Sequence, residues 1–290
     1  MMAKICRVAL LLAMMLSVAA RRLPAQAPDP AGAGPQGTTN KPAQPRVKAT
    51  DSIVVGAHLT PEEIEDGKIN DVYQPLYHWK QSTDCPNIVE LCETKIIPMA
   101  ESSKFEETRN KFLFLANRDV AGCEMRSGKY KEAEDRYQKL FEYIPVWPGT
   151  TDSDYPQNFQ AVGAARLMQG RWKDAAQSLE KSIEMFDQQI EKALRSDSEF
   201  LKNEHSKNLK MSEARSRNLL ATAYFWDGRK KEAMETLEKS YQEALQSNAT
   251  REMIQQIIEN GRTAARLMGD AAAQEKWDAR TAPQADSQDL

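Results

Sequence analysis

Apolar side chains recur at three- and four-residue steps along several long stretches in the second half of the chain. The clearest stretch follows Gly170 and contains Trp172, Ala175, Leu179, Ile183 and Phe186. This spacing places the apolar residues on one face of an α-helix, whereas a half-buried strand would alternate at every second position. The pattern therefore predicts an all-α fold made of amphipathic helices.

Three glycines, Gly128, Gly170 and Gly228, separate pairs of such helical stretches. The first long helix is predicted over residues 105–126, and its apolar face contains Phe112, Leu115, Ala116, Val120 and Cys123. Each glycine would form the turn of a hairpin, with the helix before it as the first arm and the helix after it as the second arm. The glycines are 42 and 58 residues apart, which predicts repeated hairpins with extended helices.

The longest arms are predicted after Gly170, because no glycine or proline occurs before the next turn glycine. Charged residues dominate positions 191–210. The two arms that meet there are expected to form a protruding polar hairpin. Its turn is predicted either around Ser196 and Glu199 or from Asn203 onwards.

A fourth, degenerate copy of the pattern spans residues 250–279. Its string AARLM at 264–268 repeats residues 164–168 letter for letter, and Gly269 follows it. Terminal copies of a repeat array are expected to be atypical. We therefore interpret this copy as a closing cap, packed by Trp277.

The stretch from Ser127 to Pro145 carries the motif that identifies the repeat. Small, aromatic, leucine and proline positions occur there at the spacing of a packed helical hairpin, namely Gly128, Tyr130, Ala133, Tyr137, Leu140 and Pro145. The stretch resembles a tetratricopeptide repeat. The resemblance implies a right-handed solenoid of helical hairpins over residues 105–280. Residues 51–104 carry no motif of that family, and their own patterns predict a short N-terminal helical cap.

The N-terminal cap contains three short helical patterns. The first opens with a capping box and is expected to end at Gly67. The second covers residues 70–81, although Pro75 interrupts its first half. The third covers residues 86–97 and is expected to stop at Pro98.

Residues 1–20 are typical of a secretory signal peptide. A lysine and an arginine precede an apolar run of 13 residues at 8–20, shorter than the roughly 20 residues of a membrane-spanning helix. We expect an exported protein, located in the periplasm or outside the cell, with no integral membrane span after signal removal. An uncleaved leader that tethers the chain is the alternative.

Two further segments are predicted to be disordered. Residues 21–50 form a linker rich in proline, alanine and glycine, and residues 281–290 form a polar tail. Neither composition can bury enough apolar surface to offset the entropy of ordering the chain.

The resemblance also implies a groove lined by first arms, which in this family usually holds a peptide or a partner helix. Carrying the groove positions over predicts a partner-binding site at Arg118, Arg126, Arg215, Asn218, Phe225 and Trp226. Forked hydrogen bonds from arginines could hold a carboxylate or an acidic peptide, beside an apolar anchor. The chain departs from the carboxylate clamp of chaperone-binding repeats at Gly122, Ala161 and Leu219. The alternative is therefore that the site residues are solvated or pack helices.

Three cysteines, Cys85, Cys92 and Cys123, remain after signal removal, and disulfides persist in oxidising compartments. Within one helix Cys85 and Cys92 would lie about 10 Å apart, too far for a disulfide. A Cys85–Cys92 bridge therefore requires the helix to begin after Pro86. If it does not, a bridge would have to join Cys123 to Cys85 or to Cys92. Three packed thiols are the alternative.

The remaining chemistry points to a binding protein. A formal net charge of -3 gives no basic excess for a nucleic-acid partner. The three histidines form no metal-ligand pattern, and no catalytic or cofactor motif occurs, so we expect no metal, no cofactor and no enzymatic activity. The sequence predicts an exported scaffold for a protein or peptide partner. A self-assembling structural subunit, as a homo-oligomer, is the first alternative, and an enzyme with a deep ionisable pocket is the second.

Overall fold

The computed structural model describes residues 59–82, 84–147, 149, 151 and 153–283. The predicted signal peptide, the linker and residues 284–290 of the tail lie outside the described residues. Helices dominate the described ranges, which contain no strand, and this confirms the predicted all-α class. In chain order the helices are α1 (Pro61–Tyr73), α2 (Pro75–Ser82), α3 (Cys85–Leu91), α4 (Ile97–Ser102), α5 (Glu106–Arg126), α6 (Tyr130–Tyr143), α7 (Asp154–Met168), α8 (Trp172–Leu194), α9 (Ser206–Trp226), α10 (Lys230–Gln246), α11 (Arg251–Met268) and α12 (Ala271–Asp278).

Four hairpins, α5–α6, α7–α8, α9–α10 and α11–α12, each turn at a glycine with left-handed backbone. The φ angles are 77° at Gly128, 75° at Gly170, 90° at Gly228 and 69° at Gly269. Residues with a Cβ rarely adopt this region, which explains why glycine stands at the turns. The predicted glycine turns are confirmed, including the one in the degenerate fourth copy.

The apolar faces of the arms form the core. One cluster joins the N-terminal helices to α5 and α6 around Phe112, Val120 and Leu140. A second cluster extends from α7 to α12 around Leu179 and Leu220. Both clusters contain residues from neighbouring hairpins, so the hairpins stack on one another as a solenoid.

The terminal hairpin is closed by Trp277, as the sequence predicts. This side chain is only 2% exposed. A Cβ at Gly261 would lie 2.2 Å from its ring, so α11 accepts the indole only because glycine stands there. The last helix therefore covers the apolar end of the array.

The arms that follow Gly170 are extended, and this prediction is also confirmed. Helix α8 runs to Leu194, and a π-helical turn at Leu201–His205 leads into α9. The turn occupies residues 195–198, at the first of the two predicted positions. A small separate cluster fills this end of the hairpin, made of Phe186, Ile190, Ala193 and Leu209.

Two predicted helix ends in the N-terminal segment are wrong. Helix α1 continues through Gly67 to Tyr73, because Ile69 and Tyr73 beyond the glycine are buried. Burial of these side chains outweighs a cost of about 1 kcal/mol for an interior glycine. The third helix does not stop at Pro98 either. A π-helical turn at Cys92–Ile96 precedes the proline, which then sits in the first turn of α4.

The N-terminal helices pack against the first hairpin through polar contacts as well as apolar ones. Lys111 on α5 donates to Asp66 on α1 at 2.8 Å. The hydroxyl of Tyr73 donates to Asp119 on α5. These contacts hold the N-terminal segment on α5.

Candidate partner-binding face

The first arm α9 contacts the first arms on both sides of it, α7 and α11. The side-chain amide of Gln160 on α7 donates to the carbonyl of Ser212 at 3.0 Å and to the hydroxyl of Ser216 at 2.6 Å, both on α9. Between α9 and α11, the amide of Asn260 donates to the amide oxygen of Asn218 at 2.9 Å. The first arms α5, α7, α9 and α11 carry the positions that the family resemblance predicts to line a groove. We call the surface formed by these positions the first-arm face.

Arg215 is the site residue with the most unusual environment. Its side chain is partly buried on α9, and among the described residues it has no hydrogen bond or ion pair. Burial alone lowers the pKa of Arg215, because no carboxylate stands close enough to offset the loss of water. A desolvated guanidinium without a counterion costs free energy, so this position would gain from an anionic ligand.

The two predicted site arginines on α5 differ from each other. The exposed guanidinium of Arg118 lies 5.3 Å from the ring centroid of Phe114 and forms no ion pair with any described residue. Arg126 instead donates from Nε to the sulfur of Cys85 and from Nη2 to the sulfur of Cys123, both at 3.0 Å. Arg126 is therefore engaged within the chain, whereas Arg118 is available to a ligand.

Asn218, Phe225 and Trp226 also lie on α9. The oxygen of Asn218 accepts from Asn260, so this residue joins two first arms. Phe225 is only 8% exposed. Trp226 is stacked on Trp172 with ring centroids 6.1 Å apart, and its indole N–H is buried without a partner among the described residues. Trp172 and Trp226 together form an indole pair at the end of the first-arm face.

Residues 112–188 match the family model of the tetratricopeptide repeat. This range is a tetratricopeptide-repeat region. The matched range covers the hairpins that turn at Gly128 and Gly170, and the two later hairpins have the same glycine turn and stack on them.

The repeats also resemble solved structures. Two crystal structures of nearly identical TPR-like repeats, described as those of a kinesin light chain from Podosopora anserina, align with this chain at TM-scores of 0.51 and 0.50. Each is 17% identical, and the alignments cover 73% of this chain and 92% of the other. At this identity the likeness concerns the fold alone. No curated protein matches the sequence.

Two charge clusters, each built on a buried glutamate, connect neighbouring repeats, and neither was predicted from the sequence. Glu134 on α6 accepts hydrogen bonds from Arg166 and Gln169 at the end of α7 and from Arg171 in the next turn. In the second cluster Arg217 lies among three acidic side chains, those of Asp187, Glu213 and Glu243. The partners are 26 or more residues apart except for Glu213, whose four-residue spacing from Arg217 is the one signal visible in the sequence.

The three cysteines of the described region are free thiols. Cys85 and Cys92 lie on one continuous helical stretch, since α3 leads directly into the π-helical turn. The Cys85–Cys92 bridge considered from the sequence is therefore not formed in this structure. Across the described ranges, no helix is long and apolar enough to cross a membrane, and no cluster of three or more metal-ligating side chains occurs.

Proposed function

We propose that this chain is an exported scaffold whose first-arm face binds an acidic segment of a partner protein. Tetratricopeptide repeats are in general scaffolds for protein–protein interaction, and this supports the class of partner. The observation that carries the proposal is the environment of Arg215, a partly buried cation that the described chain leaves without a counterion. A carboxylate from a partner would supply it.

The chemistry of the face suits a peptide with one acidic and one apolar element. The guanidinium of Arg215 can form two parallel hydrogen bonds to one carboxylate. Trp226 lies 11 residues further along α9, about 16 Å by the helical rise. An extended segment of five or so residues would span from Arg215 to the indole pair, since each residue covers about 3.3 Å. The exposed guanidinium of Arg118 would add electrostatic attraction for the acidic peptide at longer range.

The location belongs to the same proposal and rests on the signal-peptide pattern of residues 1–20. An exported scaffold would hold its partner in the cell envelope or outside the cell. Fractionation of the producing cells, followed by N-terminal sequencing, tests this part. A chain that stays in the cytoplasm with its leader intact would contradict export while leaving the binding proposal in place.

The binding proposal is tested with randomised peptides displayed on phage, followed by fluorescence polarisation of a labelled acidic peptide from the selection. We expect acidic sequences with an aromatic or aliphatic residue to be enriched. Arg215→Glu should weaken binding by about 30-fold or more, because it replaces the ligand's counterion by a like charge. Arg215→Gln, which removes the charge at similar size, should weaken binding in the same direction.

Arg195→Glu is the matched control. It makes the same change of charge at the far end of α8, where the side chain is 77% exposed and pairs with Glu191. We expect this variant to bind like the unmodified protein. Selection of basic or uncharged peptides would refute an anion site at Arg215. An equal loss of affinity in Arg215→Glu and Arg195→Glu would refute it as well.

A further inference from the structure

Two thiols from separate helices meet beneath one guanidinium. Cys85 is the first residue of α3 and is partly exposed, while Cys123 lies near the end of α5 and is buried. Arg126 contacts both sulfurs at 3.0 Å. Its Nε and Nη2 atoms point along the same edge of the guanidinium, the fork that grips the two oxygens of a carboxylate elsewhere. Here the fork holds two sulfur atoms side by side.

Both sulfurs therefore lie against the same edge of the Arg126 guanidinium, each 3.0 Å from one of its nitrogens. They are 38 positions apart in the sequence. Cys92 offers no equivalent pairing with Cys85, because seven residues of continuous helix separate their Cα atoms by about 10 Å. We propose that Cys85 and Cys123 form a reversible disulfide that fastens the N-terminal helices to the first repeat.

The environment of the pair assigns a role to each thiol. Burial, followed by the hydrogen bond with Cys85, raises the pKa of Cys123 to about 12, so this thiol is protonated at neutral pH. Cys85 is the more accessible sulfur, because its residue is partly exposed whereas Cys123 is buried, so an external disulfide reaches Cys85 first. Cys85 is therefore the attacking residue and Cys123 the resolving residue.

The reaction needs an external disulfide, such as oxidised glutathione, as the oxidant. The Cys85 thiolate attacks one sulfur of this disulfide, the sulfur–sulfur bond breaks, and one glutathione thiolate leaves. Cys123 then attacks the Cys85 sulfur of the mixed disulfide and gives its proton to solvent as the second glutathione leaves. The chain loses two electrons and two protons, and one glutathione disulfide is reduced to two thiols.

Such a bond would lock α3 onto the last turn of α5. It closes a loop that contains α3, α4 and most of α5, so the N-terminal segment could no longer separate from the first repeat. An exported chain would meet a compartment in which the bond persists. Formation of the bond in the purified chain requires neither the proposed partner nor export.

The test uses the purified chain with Cys6→Ser, so that only the three cysteines of the described region remain. After incubation with oxidised glutathione, peptide mapping without reductant should find Cys85 linked to Cys123, and maleimide added after denaturation should label Cys92, which is buried in the folded chain. Oxidation should raise the melting temperature by about 5–10 °C for a loop of this length. Reduction with dithiothreitol should reverse the change.

Single variants separate the proposal from its rivals. Cys92→Ser should keep both the linked peptide and the shift in melting temperature. Cys123→Ser should lose both and accumulate the glutathione adduct at Cys85, because the resolving thiol is missing. A bridge that maps to Cys92, or a stable glutathione adduct at Cys85 in the chain that retains Cys123, would overturn the proposal.

Discussion

Replacing Glu134 by alanine is expected to lower the free energy of unfolding by about 2–4 kcal/mol. This carboxylate is 2% exposed and joins the first repeat to the second. It accepts from Arg166 at 2.7 Å, from Gln169 at 2.9 Å and from Arg171 at 2.6 Å. Its removal leaves two guanidinium groups without their shared carboxylate. Urea denaturation followed by circular dichroism measures the loss.

The neighbouring carboxylate provides the matched control. Asp135 lies on the same helix and pairs with Lys131, but both side chains are more than half exposed. Asp135→Ala should therefore change the free energy of unfolding by no more than about 1 kcal/mol. If the two alanine variants were equally stable, Glu134 would not be what joins the first two repeats.

The second large effect is expected at Glu213, and it depends on pH. Burial, followed by repulsion from Glu243, raises the pKa of Glu213 from its ordinary value near 4.5 to about 8. The folded protein therefore holds this proton more tightly than the unfolded chain does. The contribution of Glu213 to stability is complete below about pH 4.5 and is lost progressively as the pH rises towards about 8.

Glu213→Gln keeps the shape of the protonated acid at every pH. At pH 5 its free energy of unfolding should match that of the unmodified protein, and at pH 8.5 it should exceed it by about 2–4 kcal/mol. Chemical denaturation across this pH range measures the difference. Glu235→Gln, an exposed carboxyl change on α10, should follow the unmodified profile. If the free energies of unfolding of Glu213→Gln and the unmodified protein differed by the same amount at every pH, the raised pKa of Glu213 would be contradicted.

Local signals in the sequence predicted the hairpins well. Turn glycines and apolar stripes act within a few residues, so Gly128, Gly170 and Gly228 identified the turns that the structure shows. The same local rules failed at Gly67 and Pro98. There, burial against α5 and a π-helical turn, which no short window reveals, decided where the helices end.

The candidate site was only partly accessible from the sequence. The repeat register placed Arg215 and Trp226 on a first arm, and the structure shows both on α9. The register could not show that Arg126 would be held by Cys85 and Cys123, or that Asn218 would bind Asn260. Those partners come from distant parts of the chain. That Arg215 lacks a counterion in the described chain is likewise a property of packing, which composition and spacing do not determine.

Photo-crosslinking with an acidic peptide selected as above tests the central claim most directly. The peptide carries a benzophenone amino acid next to its acidic residues, and mass spectrometry locates the adducts on the unmodified protein. We expect adducts on the first-arm face of α7 and α9, near Gln160, Arg215 and Trp226, which disappear in Arg215→Glu. Adducts on the second arms α6, α8 and α10, unchanged in that variant, would contradict a partner site on the first arms.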